Sequence, residues 1–481
     1  MTASGPLVVV GDVLLDVDLA GAARRLAPDG PAPVVEDVEE RVRPGGAGLA
    51  ALLAARDGRE VVLVTPLAPD AAARRLRSLL GSEVPVLALP YDGGETPVKT
   101  RLIADGRSIA RVDQGSRVGQ VGPLPAAVRD VLRTASAVLV ADYGRAATAE
   151  PSLRAALRTA GSRVPLVWDP HPRGSAPVPG ARLVTPNLAE VGRLAAEVEV
   201  PGPADGLAAV ESRAAELCRR WQARAVVVTL GRRGALLSFG AGTPLVVPAE
   251  RVAAIDTCGA GDRFAATAAG LLADGALPSE AVAGAVRASS AFVADGGAGA
   301  FGTDSVRGGA ANAAANGKGR LAGSASDVVA RTRAAGGTVV ATGGCFDLLH
   351  AGHVATLEAA RRLGDCLVVC LNSDASVRRL KGPDRPIVSA PDRARVLAAL
   401  EHVDAVAIFE GDTPAALLER LRPDLWAKGG DYIDAALPEA ELMAQWGGQA
   451  VILPYLAGRS TTAMVRAALS KNVESTEGAQ V

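Results

Sequence analysis

The sequence predicts two α/β domains in tandem, a larger three-layer domain followed by a smaller one. Short apolar runs alternate with stretches of helical period along the chain. The length of 481 residues exceeds that of one domain, and the composition changes near residue 303. Continuously apolar strands between helices are typical of a mainly parallel sheet covered on both faces.

The predicted strands of the first domain are rich in Val and Leu: PLVVVGD at 6, VVLVT at 61, AVLVADY at 137, VPLVWDP at 164 and AVVVTLG at 225. Those of the second are TVVATGG at 338, CLVVCLNSD at 366, DAVAIFE at 404, DLWAKGGD at 424 and AVILPY at 450. Residues 303–327 contain few large apolar side chains and bury too little surface to offset their ordering entropy. We therefore predict domains over 1–302 and 333–470, a flexible linker over 303–332 and a disordered tail over 471–481.

Charge and hydropathy exclude several classes of protein. Lys plus Arg number 51 and Asp plus Glu 52, so no net positive field attracts nucleic acid or anionic lipid. No apolar run reaches about 18 residues, and the start MTASGPLVVVGD lacks the cationic residues of a signal peptide. The five cysteines lack CxxC spacing, which argues against a disulfide framework or a zinc ribbon. We expect a cytoplasmic protein with small-molecule substrates and no nucleic-acid or membrane partner, and leave a homodimer open.

The stretch DTCGAGD at 256 is the first candidate phosphate site. Its glycines permit positive φ, and a helix of small residues is predicted to follow, so the N–H groups of Gly259, Ala260 and Gly261 can point at an anion. Asp262 falls in the first turn of that helix, where a carboxylate can accept a hydroxyl proton during phosphoryl transfer. The alternative is an Asp that only complements the helix dipole.

Several motifs in order resemble the ribokinase-like carbohydrate kinases over about residues 5–300. They are GDVLLD at 11, RPGGAG at 43, DYG at 142, TPNLAE at 185, VTLGRRGA at 228 and DTCGAGD. The resemblance implies a ribokinase-like three-layer fold that uses ATP and Mg²⁺, with Asp262 as the catalytic base and the amides of 259–261 as the anion hole. It also implies an ATP site at Asn187, Leu188, Ala189, Glu190, Thr229, Gly231 and Gly234.

Polar and small residues near the first strands form the candidate sugar site. Two carboxylates can accept hydrogen bonds from sugar hydroxyls, and a Gly-Gly pair lets the backbone approach the ring, which suggests a polyol. Three cations can hold a phosphate already on the sugar, or they belong to a solvated surface. The candidates are Asp12, Asp16, Gly45, Gly46, Lys99, Arg101 and Arg111. Leu49 and Val286 stand where the family usually has Asn.

A rival class comes from GAGLAA at 46–51, which fits the dinucleotide fingerprint G-x-G-x-x-G/A. That fingerprint requires a preceding strand, whereas EDVEERVRP is charged and ends in Pro, so no strand is predicted there. The P-loop pattern GxxxxGK[ST] does not occur in the sequence. Neither a NAD-dependent enzyme nor a P-loop NTPase is favoured.

The stretch GGCFDLLHAGH at 343 is the second candidate phosphate site. His350 and His353 are three apart in a predicted helix and therefore lie on one face. Two histidines can bind zinc, but no third ligand has fitting spacing, so no metal site is predicted. A capping role is a further alternative. The favoured hypothesis is that the imidazoles donate hydrogen bonds to nucleotide phosphates during attack on the α-phosphorus.

This stretch matches the mark G-x-F-D-x-x-H-x-G-H of the cytidylyltransferase-like nucleotidyltransferases, and GRSTTAMVRAAL at 458 resembles their second mark. The resemblance implies a Rossmann-like domain in which His350 and His353 are catalytic. It implies nucleotide contacts from Gly344, Phe346, Asp347, Lys381, Lys428, Ser460, Thr461 and Thr462.

A kinase half followed by a transferase half resembles the family of bifunctional D-glycero-β-D-manno-heptose-7-phosphate kinases and heptose-1-phosphate adenylyltransferases. That family phosphorylates heptose 7-phosphate at O1 with ATP and, after a separate phosphatase step, forms ADP-heptose and pyrophosphate from heptose 1-phosphate. Two alternatives stay open: another sugar or nucleotide, or a degenerate kinase half with only the transferase active.

Overall fold

The computed structural model describes residues 5–105, 107–200, 203–253, 256–300, 324–430 and 437–454. These residues form two compact units. The first comprises the described residues of 1–199, 212–230 and 249–313, and the second comprises those of 200–211, 231–248 and 314–481. Both combine helices with a mainly parallel sheet, which confirms the predicted α/β class.

The strands up to residue 300 are β1 (Leu7–Gly11), β2 (Val13–Leu26), β3 (Pro33–Gly46), β4 (Val61–Pro66), β5 (Val86–Leu89), β6 (Tyr91–Asp92), β7 (Val98–Ala104), β8 (Arg107–Gln114), β9 (Gln120–Val121), β10 (Ala137–Ala141), β11 (Leu166–Asp169), β12 (Leu183–Val184), β13 (Val226–Thr229), β14 (Ala235–Ser238) and β15 (Leu245–Val247). The helices are α1 (Ala47–Arg56), α2 (Ala71–Leu80), α3 (Ala126–Thr134), α4 (Pro151–Gly161), α5 (Leu188–Leu194), α6 (Leu207–Trp221), α7 (Ala260–Ala273) and α8 (Pro278–Ala294). All five strands predicted here from apolar runs are confirmed.

The main sheet of the first unit is parallel, with the order β13-β12-β11-β10-β1-β4-β5. Its central strand β1 is fully buried. The chain runs to one side of β1 through β4 and β5 and to the other through β10 and β11. In such sheets the crevice at the carboxyl ends of the strands where the order switches is the usual place for a ligand. Here that point lies between β1 and β10.

A second sheet in this unit, with the order β3-β2-β7-β8, corrects one sequence inference. The charged segment EDVEERVRP is a strand, within β3, which ends at Gly46 directly before α1. It was missed because the charged middle of β3, residues 37–41, is exposed to solvent. A strand therefore does precede GAGLAA, but it pairs antiparallel with β2 instead of lying in the parallel sheet that a dinucleotide fold requires.

From residue 324 the strands are β16 (Val339–Gly344), β17 (Cys366–Asn372), β18 (Ala405–Phe409), β19 (Leu425–Gly429) and β20 (Gln449–Leu453). The helices are α9 (Ala325–Ala334), α10 (Ala351–Arg362), α11 (Asp374–Lys381), α12 (Ala390–Ala399), α13 (Ala415–Leu421) and α14 (Glu439–Ala444). The five strands are parallel in the order β18-β17-β16-β19-β20 and confirm the five predicted apolar runs.

The predicted linker and tail fall largely outside the described residues, which omit 301–323 and 455–481. The last part of the predicted linker is helical, because α9 begins at Ala325. Ser324 and Asp327 form a capping box there, with Asp327 accepting from the Ser324 backbone N–H at 2.9 Å. The S-x-x-D spacing was the signal for this helix start.

Candidate functional sites

The turn before α7 is built around Gly259, which has φ 80°. A Cβ at this position would lie 2.8 Å from Leu49, so the turn requires glycine. Leu49, which departs from the family pattern, therefore packs on the back of the phosphate loop. Ala260 N–H donates to Thr257 O at 3.2 Å, whereas Gly261 lies in the first helical turn, where amides lack intrahelical partners. Its Cα faces open space.

Asp262 is buried in the first turn of α7. Burial raises the pKa of its carboxyl to about 7, and the Asp16 charge raises it further. The hydrogen bond from Tyr143 and the Lys99 charge oppose this rise. Tyr143 O–H donates to Asp262 Oδ1 at 2.6 Å. Tyr143 was not among the predicted site residues, although DYG was among the motifs that carried the resemblance. A carboxyl with this pKa exchanges a proton near neutral pH.

Asp12, a predicted sugar ligand, holds the loop that follows β10. Its Oδ2 accepts from the backbone N–H groups of Tyr143 at 3.1 Å and Arg145 at 3.0 Å, and its Oδ1 accepts from that of Ala147 at 3.3 Å. Burial, with a smaller contribution from Asp142, raises its pKa to about 6 against these bonds. The structure thus places Asp12 at the switch point between β1 and β10.

Asp16 lies in a row of charged residues across the second sheet, opposite Arg43 on β3 and Lys99 on β7. Its Oδ1 is buried, has no hydrogen-bond partner among the described residues, and lies 3.9 Å from Arg101 Nη2. Burial raises its pKa, and the Arg101, Arg43 and Lys99 charges oppose this. A buried carboxylate oxygen with spare accepting capacity suits a sugar hydroxyl.

The three cationic residues predicted to bind the sugar phosphate differ in their surroundings. Arg101 contacts Asp18 Oδ1 at 3.4 Å and Cys258 Sγ at 3.2 Å. Lys99 Nζ lies 5.7 Å from the centre of the Tyr143 ring, and its charge acts on Asp262. Arg111 lies opposite Arg101 in the β7–β8 register, is exposed, and pairs with Asp113 at 2.9 Å.

The two glycines after Pro44 pack closely against other residues of the candidate sugar site. A Cβ on Gly45 would lie 2.5 Å from Asp16 Oδ2, and Gly46 has φ 60° with Tyr143 ring atoms 3.3 Å from its would-be Cβ. Arg43 itself was missed. It is 3% exposed and forms an ion pair with Asp18, and two of its guanidinium nitrogens have no hydrogen-bond partner in the described part of the chain.

The candidate ATP residues begin at the start of α5. Asn187 caps this helix in a capping box with Glu190, with Asn187 Oδ1 accepting from Glu190 N–H at 3.0 Å, and Asn187 bridges to Thr229 at the end of β13. Leu188 and Ala189 form the first turn. Burial raises the pKa of Glu190. Gly231 and Gly234 both have positive φ around a short 3-10 turn, in which Gly234 N–H donates to Gly231 O at 3.0 Å.

The second candidate site follows β16, where the strand leads into α10. Phe346 has φ 44°, and its ring lies 3.1 Å from where a Cβ on Gly344 would stand. Asp347 is buried and accepts from the backbone N–H groups of Ile387 at 2.7 Å and Val388 at 3.0 Å. These bonds, together with one from the Arg385 guanidinium, lower its pKa although burial opposes them. Asp347 thus ties the strand end to the 385–388 loop.

His350 is the N-cap residue of α10, and His353 lies in its first turn. The two rings stack with centroids 3.9 Å apart, and Phe346 packs on His353 at 5.2 Å. Burial, then the charges of His350 and Lys381, lowers the pKa of His353 to about 4. The predicted shared face is therefore confirmed, and His353 is neutral at physiological pH.

Arg393 organises this site and was not found from the sequence. It is 2% exposed, and its guanidinium donates to the backbone carbonyls of Cys345 at 2.5 Å, Asn372 at 3.0 Å and Val388 at 2.9 Å. It also pairs with Asp374 at 2.7 Å. Its position in the sequence gave no sign of this role, because only the fold brings the three carbonyls together.

The remaining transferase candidates are partly described. Lys381 ends α11 and acts electrostatically on His353. Lys428 on β19 contacts Glu439 at 3.5 Å and lies 5.8 Å from the Trp426 ring centre. Ser460, Thr461 and Thr462 lie outside the described residues.

Comparison with known proteins identifies the two parts of the chain. Residues 6–306 match the pfkB family of carbohydrate kinases and residues 341–454 match the cytidylyltransferase-like family. Bifunctional protein HldE of Streptomyces coelicolor is 58% identical over 96% of this chain and 96% of its own, and that of Nitrosococcus oceani 36% identical over 96% and 97%. The solved structure of Arabidopsis thaliana ribokinase complexed with ribose and ATP aligns with a TM-score of 0.47 at 21% identity over 60% of this chain and 92% of that chain. The family predicted from the sequence is thereby confirmed: the chain belongs to the bifunctional HldE proteins, as a carbohydrate kinase followed by a cytidylyltransferase-like nucleotidyltransferase.

Proposed function

We propose that Asp262 and the pair His350 and His353 carry the two reactions of this enzyme. Membership of the HldE family supports heptose phosphorylation and adenylyl transfer in ADP-heptose biosynthesis. The observation that carries the assignment is the buried Asp262 at the start of α7, with a pKa of about 7 and an oriented carboxylate.

In the kinase reaction, Asp262 accepts the proton of the sugar O1 hydroxyl as that oxygen attacks the γ-phosphorus of ATP. The first-turn amide of Gly261 and the positive end of α7 face the charge that develops on the phosphoryl oxygens. Asp16, with its spare buried oxygen, accepts from a sugar hydroxyl, and Lys99 and Arg101 hold the 7-phosphate. Arg111, exposed and paired with Asp113, lies opposite Arg101 on β8 and adds positive charge beside it.

The kinase family implies a divalent cation, which we take as Mg²⁺. Among the described residues, no group of three or more His, Cys, Asp or Glu is placed to hold a metal ion. That fits Mg²⁺, which commonly binds through one or two carboxylates together with substrate phosphates. Burial raises the pKa of Asp169 far above its usual range, and the Glu190 charge adds to this, so a cation nearby would relieve both carboxylates. Glu190 would hold the ion, which when bound neutralises charge on the ATP phosphates.

In the adenylyl transfer, neutral His353 and its neighbour His350 donate ring N–H groups to the ATP phosphates as heptose 1-phosphate attacks the α-phosphorus. The start of α10 adds its positive end to the same region. Lys381 and Lys428 supply positive charge for the pyrophosphate that leaves. Asp347 and Arg393 keep the strand ends and the 385–388 loop in place around the histidines.

We also propose that the enzyme works in the cytoplasm, where ATP and sugar phosphates are found, and that it forms a homodimer. No helix among the described residues is long and apolar enough to cross a membrane. The homodimer would form at the edge strands of the second sheet, β3 and β8, which expose Val38 and, respectively, Ile109 and Val112.

The assay that tests the proposed function separates the two products. The purified chain is given ATP with a panel of sugar phosphates, and ADP and pyrophosphate are measured separately. We expect ADP release with heptose 7-phosphate and pyrophosphate release with heptose 1-phosphate. Pyrophosphate release alone would identify a degenerate kinase half, and a preference for another sugar phosphate would replace heptose as the substrate.

A further inference from the structure

Asp262 is held by a chain of hydrogen bonds that starts at Asp12, at the switch point between β1 and β10. Tyr143 O–H donates to Oδ1 of Asp262 at 2.6 Å, and no other hydrogen bond to the Asp262 carboxylate is found among the described residues. Tyr143 lies on the loop after β10, whose amides at positions 143, 145 and 147 are bound by Asp12. Asp12, the loop, Tyr143 and Asp262 thus form one connected path.

We infer that Tyr143 is the positioning residue of the kinase site: it holds Oδ1 of Asp262 so that Oδ2 faces the acceptor hydroxyl, and Asp12 acts through it by holding its loop. This inference rests on the proposed role of Asp262 as the base. It assigns Asp12 a part in orienting the base, in place of the contact with sugar hydroxyls that its position near β1 predicted.

The phenol can play this part because it keeps its proton. Burial, with the neighbouring Asp262 and Asp169 charges, raises the pKa of Tyr143 well above its usual range. It is therefore a permanent donor, which stabilises the ionised carboxylate over the protonated one. A carboxylate oxygen that accepts a strong bond is poorly placed to take a second proton, which leaves the other oxygen for the substrate.

Other charged groups face Asp262 from the elements around α7. Asp16 on β2 raises its pKa, Lys99 on β7 lowers it, and Asp169 at the end of β11 interacts with it. From α8, Ser289 donates to Ala260 O at 3.2 Å and brings no charge. None of these residues hydrogen-bonds to the Asp262 carboxylate in the described part of the chain, so removal of the phenol hydroxyl should change the proton affinity of the base.

The test is the pH dependence of kinase kcat/KM in Tyr143→Phe. Loss of the donor raises the pKa of Asp262, so we expect the acid limb to move up by about one pH unit, which lowers kcat/KM about tenfold at low pH. Activity should return towards the wild-type value at alkaline pH. Tyr91→Phe is the matched control, because the Tyr91 hydroxyl accepts from Gly119 N–H at 2.8 Å and takes no part in this path. Adenylyl transfer by the same preparation reports that the chain is folded.

An acid limb that stays in place in Tyr143→Phe, or activity that is lost equally at every pH, would overturn the inference. Asp12→Asn provides a second measurement if the first variant does not fold: its acid limb should move in the same direction, with no further shift when it is combined with Tyr143→Phe. If the acid limb of the kinase pH profile does not move in Asp12→Asn, Asp12 has no part in orienting the base. Failure of the base assignment itself is distinct, because Asp262→Asn would then retain kinase activity.

Discussion

The two candidate sites respond to burial in opposite directions. At the kinase site, burial raises the pKa of the Asp262 carboxyl to about 7, and at the transferase site it lowers the pKa of the His353 imidazole to about 4. The cause is the same, because loss of water disfavours whichever form is charged. In the carboxyl this produces a base that exchanges protons near neutral pH, whereas in the imidazole it produces an uncharged hydrogen-bond donor.

The largest expected effect is the loss of the proposed base at the kinase site. Asp262→Asn should lower sugar-phosphate-dependent ADP release by about 10²- to 10⁴-fold, because the amide cannot accept the hydroxyl proton. Pyrophosphate release with heptose 1-phosphate should be unchanged. Rates of both products in one preparation decide the matter, and near-normal ADP release would remove Asp262 as the base.

On the transferase side, His353→Ala should slow adenylyl transfer by about 10²-fold, the usual cost of one preorganised donor. Kinase activity should be unchanged. Pyrophosphate release is the measurement, with His402→Ala as the control, since His402 lies in the turn before β18 and is not among the residues of this site. A rate that followed zinc content in place of the side chain would favour a metal site.

The pH profiles sharpen the contrast. Ionised Asp262 is required for proton transfer, so kinase kcat/KM should rise with pH through about 7. His353 is already neutral above its pKa of about 4, so adenylyl transfer should show no inflection from this residue between about pH 6 and 8. Initial rates of ADP and pyrophosphate release across this pH range test both expected profiles. An adenylyl rate that falls as an imidazole deprotonates in this range would show that charged His353 is needed.

The smallest expected effect extends the same physics to a residue outside both sites. Burial raises the pKa of Glu211 on α6 to about 8, against a bond from Ser238 at 2.8 Å. A carboxyl that binds its proton more tightly when folded stabilises the fold at low pH and loses that contribution as pH rises through about 8. The melting temperature should therefore fall less in Glu211→Gln than in the wild type between about pH 6 and 9. The difference between the two falls should be about 2–4 °C. Glu216→Gln, on the same helix, should keep the wild-type pH dependence in the same melting experiment.

Much of the architecture was predictable because parallel strands are buried on both faces. Every apolar run predicted as a strand, from LVVVG in β1 to QAVIL in β20, is a strand. The second sheet of the first unit was missed for the complementary reason. All of β8 and the charged middle of β3 are exposed, so neither hydrophobic periodicity nor a continuous apolar run marks these strands.

The sequence by itself determined the two α/β parts, the family and the residues at each helix start, since glycines before a helix, an aspartate in its first turn and two histidines three apart are local patterns with local physical consequences. Only the tertiary structure decided which residues support these candidate catalytic residues. Tyr143 reaches Asp262 across 119 positions of sequence, and Arg393 gathers carbonyls from three separate segments. It also decided the protonation of Asp262 and His353, because a pKa depends on how much water the folded chain excludes and on which charges it brings near.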